Sequence, residues 1–254
     1  MAERKKIENA SESTLSDIKN AKPVGNAGGL RVGAILLWVA AIAFELLAVL
    51  VAFSVITFTK INPLIPLLAF IVLDLVCLII GSQLWKKANH IAPASKKNAL
   101  KFWLWNNMGM IVAVFAFVPL VILLLTNKNL DKQTKTIATI AAVVALLIGG
   151  LAGHDWNPIS AEEKEAAQAA VSGAVYWTAF GKVYHTHVTD EALGHTLEDN
   201  KECPYLNRSD SLTRGTVEEA IAAGKTRLCS YCARHDNINT EGLLMDPNSE
   251  GEGD

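Results

Sequence analysis

The chain has 254 residues, 51% of them hydrophobic and 19% charged, with a formal net charge of -2. That near-neutral charge says little about partners, and the lack of a basic block with interleaved aromatics disfavours nucleic-acid binding. The average conceals two unlike halves. Nearly all long apolar runs lie between Leu30 and Gly153, whereas His154 to Asp254 mixes charge, turns and short amphipathic segments as a soluble domain does.

Residues 1–30 are polar and read as a disordered cytoplasmic N-terminus. Four apolar segments follow within 31–153, at about 32–58, 63–84, 102–126 and 136–152. A hydrocarbon core of ~30 Å takes about 20 helical residues, so the first three segments cross with length to spare and the fourth is short for the task. The first segment is no cleavable signal peptide, because its apolar run is too long and a polar stretch precedes it. Arg4, Lys5, Lys6, Lys19, Lys22 and Arg31 precede the first segment, and Lys86, Lys87, Lys96, Lys97 and Lys101 crowd the second loop. The other loops carry Lys60, then Lys128, Lys132 and Lys135 offset by Asp131. The positive-inside rule then predicts a multi-pass protein of the cell membrane, partnered by the lipid bilayer, with both termini cytoplasmic.

Glu45 and Asp74 each fall near the middle of an apolar segment. An acid at a helix centre costs about 2.5–3.5 kcal/mol and each large apolar residue returns roughly 0.3–0.6, so both segments still insert. Helical spacing puts Trp38, Ala41, Glu45 and Val49 on one face, and Asp74, Cys77 and Gly81 on another, where the polar groups can meet near Asn106 or Asn107. Two roles follow: an ion or proton path, or neutral hydrogen-bonded carboxyls that hold the bundle together. In the fourth segment Ala141, Ala145, Gly149 and Gly153 form a small-residue stripe, expected as a packing face or a homodimer seam. Cys77 reads as a small apolar residue.

Beyond the last segment, Ser160 with Glu163 forms a capping box that opens a helix through about Val171. Ala174 to Phe180 and Lys182 to His187 flank Gly181 as a β-hairpin. A polar, irregular stretch runs from Val188 to Glu202. Thr216 with Glu219 then opens a second helix, which Gly224 ends. Three cysteines stand in this region: Cys203, and the pair in Cys229-Ser230-Tyr231-Cys232. Two thiols three residues apart on a tight knuckle can both face one tetrahedral ion, with further ligands arriving from elsewhere in the chain. In a reducing compartment such a pair reads as a metal site or a redox pair more readily than as a structural disulfide, and the βαβ context of a thioredoxin-like redox pair is missing.

The succession Val183-Tyr184-His185, Cys203 with Leu206 three residues on, Thr216 through Ala223-Gly224, and Cys229-x-x-Cys232 resembles the small bacterial zinc modules related to the metal-binding domain of the Ada family. The resemblance covers roughly 175–234 and departs from the family pattern in the long gap between His185 and Cys203. It implies His185, Cys203, Cys229 and Cys232 as a four-coordinate structural Zn2+ site. The residues themselves leave the fourth ligand open among His185, His187, His195 and His235. A closed set has no open position for substrate, and no hydrolase, phosphate-loop or metalloprotease motif occurs, so no enzyme is expected.

The expected architecture is an α-helical four-span transmembrane bundle, then a small α+β zinc-binding domain over 154–240 and a disordered acidic tail over 241–254. The expected role is to present that module on the cytoplasmic face to another macromolecule, a protein before a nucleic acid. The alternatives are a small transporter or ion-conducting protein that uses Glu45 and Asp74 with the module as regulator, and a metal or redox sensor. Lys225, Arg227 and Arg234 around the knuckle leave room for an anionic partner.

Overall fold

The computed structural model describes residues 6–10, 25–58, 61–197, 202–207 and 209–246. They form two compact units. One comprises Ala27–Ala88 and Leu100–Trp156; the other combines the chain ahead of Ala27, Asn89–Ala99 and the chain after Trp156.

The first unit is helical: α1 (Ala27–Ala52), α2 (Leu64–Ile91, the last turn of which belongs to the second unit), α3 (Ala99–Asn106), α4 (Met108–Thr126) and α5 (Lys132–Gly153). Among the described residues α1, α2, α4 and α5 are the helices long and apolar enough to cross a membrane. Their packing is inverted relative to a soluble bundle. Small residues such as Ala34, Ala41, Ala48, Ala113, Ala138 and Ala142 are fully buried, while Leu36, Phe115 and Leu147 lie on the outside. Close approach of small residues is how helices associate when their surroundings are as apolar as their side chains.

The helix bounds differ from the expected segments. The first helix starts earlier and stops at Ala52, the second runs on to Ile91, and the fourth spans 22 residues, which removes its shortness. The third segment is broken at Asn107, whose ψ of 11° leaves the helical range. The Asn106 and Asn107 amides donate to the carbonyls of Phe102 and Trp103, the local competition with helical bonding that polar side chains supply.

Gly81 of α2 lies flat on Trp38 of α1, where a Cβ would stand 2.7 Å from the indole nitrogen. Gly33 faces Leu84, and Phe44 stacks on Phe70, so α1 and α2 run antiparallel. The small-residue stripe of α5 packs inside the chain: a Cβ on Gly149 would press on Leu78, and one on Gly153 would stand 2.5 Å from the Gly109 carbonyl carbon. Ala145, Gly149 and Gly153 are therefore taken up by intrachain packing instead of forming an exposed homodimer seam, and Ala141 is half-buried. Lys86 and Gln83 donate to the Ala152 carbonyl at 2.8 and 3.2 Å, a cation at a helix C-terminus as the helix dipole favours.

The second unit contains β1 (Lys6–Asn9), α6 (Ala161–Ala170), β2 (Val175–Trp177), β3 (Val183–Tyr184), β4 (Ser211–Gly215), α7 (Val217–Ala222), β5 (Arg227–Leu228) and α8 (Ser230–His235). One sheet has the order β1-β4-β2, with β1 parallel and β2 antiparallel to β4; the second pairs β3 with β5 in parallel. Both capping boxes are present, Ser160 with Glu163 on α6 and Thr216 with Glu219 on α7. Gly224 ends the second helix at a φ of +81°, a conformation that favours glycine.

Residues 1–30, expected to be unstructured, instead supply β1 and the first residues of α1. Ile7 packs on the core beside Tyr176 and Leu212, and Asn9 accepts from the Arg214 guanidinium at 2.7 and 2.9 Å. At the other end Leu243, Leu244 and Met245 pack on the core, and Met245 bridges to Leu228, so the start of the expected acidic tail is ordered. Residues 1–5, 11–24, 59–60, 198–201, 208 and 247–254, with the expectations that fall on them, lie outside the described residues.

The loop between α2 and α3 also belongs to the second unit, where it grips the start of α6. Ala161 N–H donates to the Ala94 carbonyl at 3.1 Å, Lys96 N–H to Glu162 at 3.1 Å, and Lys164 Nζ to the Ile91 carbonyl at 2.6 Å. The Ser95 hydroxyl donates to Glu162, and Lys96 pairs with Glu163.

Candidate metal centre

The expected hairpin is reduced to a single antiparallel bridge, because its two strands lie in different sheets. Val175–Trp177 and Val183–Tyr184 are the strand residues, and Tyr176 and His185 exchange two backbone hydrogen bonds of 2.8 Å at its end. Parallel pairing of Tyr184 with Leu228 then brings the end of β3 beside the start of the knuckle, where Cys229 N–H donates to the Tyr184 carbonyl at 3.0 Å. Cys229 is the N-cap of α8, and Cys232 comes one turn later on the same short helix. Cys203 arrives from the other side, its N–H bonded to the His187 carbonyl at 3.0 Å, and Pro204 opens a 3-10 turn over Pro204–Leu206 directly after it.

These elements bring His185, Cys203, Cys229 and Cys232 together, with one ligand atom of each lying within 4.8 Å of all the others. All four residues are buried. Cys203 Sγ is 3.7 Å from Cys229 Sγ and 3.4 Å from His185 Nδ1, and Cys232 Sγ is 3.7 Å from the same nitrogen. A tetrahedral ion with bonds of about 2.3 Å to sulfur and about 2.0–2.1 Å to nitrogen has S–S edges of about 3.8 Å and S–N edges of about 3.6 Å. The measured separations match those edges. The donors are also of the right chemical kind, since thiolate and imidazole suit zinc where carboxylate and carbonyl suit calcium or magnesium.

The three sulfurs are within hydrogen-bonding reach of one another. Hydrogen bonds shared with Cys203 and then Cys232 hold Cys229 below the usual thiol range, and Cys203 is pushed up in return. Without a cation three sulfurs around one point share protons; a dication lets all three ionise. The His187 backbone N–H also hydrogen-bonds the Cys232 sulfur.

The other candidate histidines turn elsewhere. His187 Nδ1 donates to Asp236 Oδ1 at 2.6 Å, and Asp236 also accepts from the Thr186 hydroxyl, which ties the end of β3 to the end of α8. His195 and His235 are exposed, and each hydrogen-bonds a backbone carbonyl through Nδ1, that of Val188 at 2.7 Å and that of Tyr231 at 3.0 Å. The Asp236 bridge was missed in the sequence, and the only cue there is an acid just beyond the knuckle helix.

Glu45 and Asp74 lie in the other unit, far along the chain from this cluster and in electrostatic reach of each other. The expected meeting with the asparagines does not occur: Asn107 Oδ1 accepts from His154 Nδ1 at 2.5 Å, and Asn106 bonds back to its own helix.

The fold and the site define a protein with four apolar helices and a small α+β unit carrying a buried His/Cys3 cluster fit for a metal ion. Compared with family models, curated proteins and solved structures, the chain matches none.

Proposed function

We propose that this is a multi-pass membrane protein whose second unit is a zinc-stabilised interaction module, held at the cytoplasmic face to bind or organise another protein. The observation that carries the reading is the four-donor set, buried and spaced at tetrahedral edges. A closed set of three thiolates and an imidazole leaves no position for substrate, which supports a structural and not a catalytic role for the ion. The likeness to Ada-type zinc modules supports the same role for the metal; it carries no DNA binding or group transfer with it.

Chain parity supports four crossings. β1, ahead of α1, pairs with β4, which follows α5, and the loop ahead of α3 is bonded to α6. Segments that touch lie on one side of a bilayer, so α1 and α2 cross together, and α4 and α5 cross together. The lysine-rich loops support a cytoplasmic position for that side.

The test is metal analysis of the purified full-length protein, with a cysteine-accessibility map in sealed cells. One zinc per chain, lost in C229S, and protection from external reagents at Lys96→Cys and Glu241→Cys are expected. A metal-free protein that keeps its fold would overturn the metal role, and external labelling at both positions would overturn the orientation.

A further inference from the structure

We propose that Glu45 and Asp74 form a proton-binding site inside the helix bundle. The register of the α1–α2 seam carries the argument. Trp38 meets Gly81, and the helices are antiparallel; seven residues further along α1 and seven back along α2 bring Glu45 and Asp74 to the same level. The fully buried neighbours Ala41 and Leu78 lie between the two levels, and Ala48 and Ile71 lie beyond.

Asp74 is 0% exposed, and neither of its carboxyl oxygens has a hydrogen-bond partner. This separates it from the structural reading of such an acid, which needs hydrogen bonds to neighbouring helices. An ionised carboxylate is not held in an apolar interior without a donor or a countercharge. No Lys, Arg or His occurs in 32–58, 63–85, 102–127 or 136–153, so the cations of the spanning helices lie at their ends and none is at this depth. Cys77, one turn along α2, is the further titratable group in reach of Asp74, and α4 and α5 present none at this depth. What remains is a bound cation. A metal ion would need several oxygen ligands, and helical carbonyls are occupied by their own helix, whereas a proton needs one oxygen. Asp74 is also in electrostatic reach of Glu45, and two like charges in an apolar bundle oppose each other, which further favours retention of the proton.

The inference rests on the bundle being membrane-spanning and not on the metal. It is tested on the full chain in oriented lipid films by infrared spectroscopy, where amide I dichroism reports helix orientation independently of the carboxyl signal. At neutral pH the wild type is expected to show a protonated-acid carbonyl band that exchanges slowly in deuterated water. That band should move on 13C-carboxyl labelling of aspartate, disappear in D74N and shift in E45Q. Label sensitivity is read in the wild type, so it decides the matter even if D74N does not fold. Absence of a label-sensitive acid band at neutral pH, or its appearance only when sodium and potassium are withdrawn, would overturn the proposal. Helices lying in the film plane would instead overturn the membrane-spanning reading.

Discussion

Cys203 Sγ stands 3.7 Å from Cys229 Sγ, across the junction between the 3-10 turn after Cys203 and the knuckle that opens α8. A disulfide closes at about 2.05 Å, so the two sulfurs are not bonded, and their separation matches the S–S edge of a tetrahedral ligand sphere. The same two residues anchor otherwise separate pieces of backbone, since Cys203 is bonded to His187 and Cys229 to Tyr184. A structural zinc in such a site is worth about 10–16 kcal/mol of apparent binding energy, comparable to the whole stability of a small domain. Chelation of the full-length protein is therefore expected to release the β3–β5 pairing. Hydrogen exchange at the Cys229 and His185 amides should accelerate by orders of magnitude while the amides of α4 and α5 stay protected. Unchanged exchange after verified metal removal would contradict this.

The four histidines near the cluster separate by mutation. H185A removes a donor and should abolish stoichiometric zinc, whereas H195A and H235A should retain it. His187 is a positioning residue through Asp236. H187A and D236A should keep zinc but weaken it about 10–100-fold, the usual cost of losing a partner that orients a ligand. Competition with a chromogenic chelator measures all five variants on one scale.

Legibility in the sequence followed the range of the interactions. The capping boxes at Ser160 and Thr216 and the glycine end at Gly224 are local, and each is where its residues put it. The apolar helices were readable from composition, but their ends were not, because the break at Asn107 depends on side-chain amides that turn back on their own helix. β1 and β4 escaped notice for the opposite reason. A four-residue strand with one apolar side chain has no period to read, and its partner lies about two hundred residues away. At the cluster the Cys-x-x-Cys pair announces itself, but the choice of His185 over His187 does not. Two residues apart, both read as one strand face and both are buried, but the strand ends at Tyr184 and His187 turns to Asp236.

Arg214 holds the long-range part of the second unit together. Its guanidinium donates to Asp190 at 2.7 Å and to Asn9 on β1, and Tyr176 donates to the same Asp190 oxygen at 2.8 Å. All of Tyr176, Asp190 and Arg214 are buried, and burial followed by the bond to Asp190 pushes the Tyr176 hydroxyl well above its usual range. R214A leaves the Asp190 charge without its cation and should cost roughly 3–5 kcal/mol, as breaking one side of a buried pair does. R214M/D190N, which removes both charges and keeps an amide oxygen to accept from Tyr176, should recover most of that loss. Denaturant unfolding of the reconstituted protein, followed by exchange at the Tyr176 amide, reads both variants.

The grip of the α2–α3 loop on α6 is expected to fail in acid. The Ser95 hydroxyl, then the backbone N–H groups of Glu162 itself and Lys96, hold the Glu162 carboxyl down to about 2 from an ordinary 4.5. A depressed folded-state value means that the contribution is fully present above about 4.5 and is lost as pH falls through about 2. Carboxyl-carbon NMR shifts of labelled glutamate should show this late titration, and exchange at the Lys96 amide should accelerate over the same window. E162Q should show the fast exchange at neutral pH; a Glu162 that titrates near 4.5 in the wild type would rule the grip out.

Gly153 marks the closest approach of α4 and α5, and what a side chain there would strike is backbone. A Cβ would lie 2.5 Å from the Gly109 carbonyl carbon and 2.6 Å from the Met110 nitrogen. Backbone cannot swing aside as a flexible side chain does, so the helices must separate. Their separation would also disturb Gly109, where a Cβ would already stand 2.4 Å from the Ser82 hydroxyl of α2. G153V should therefore destabilise the bundle by an amount at or above the usual ~1–3 kcal/mol of overpacking. G150V is the matched control, because nothing lies within 4 Å of a Cβ at Gly150. Thermal unfolding in detergent should separate the two variants, with G150V close to wild type and G153V well below it. Equal effects would mean that helix propensity and not the α4–α5 contact sets the loss.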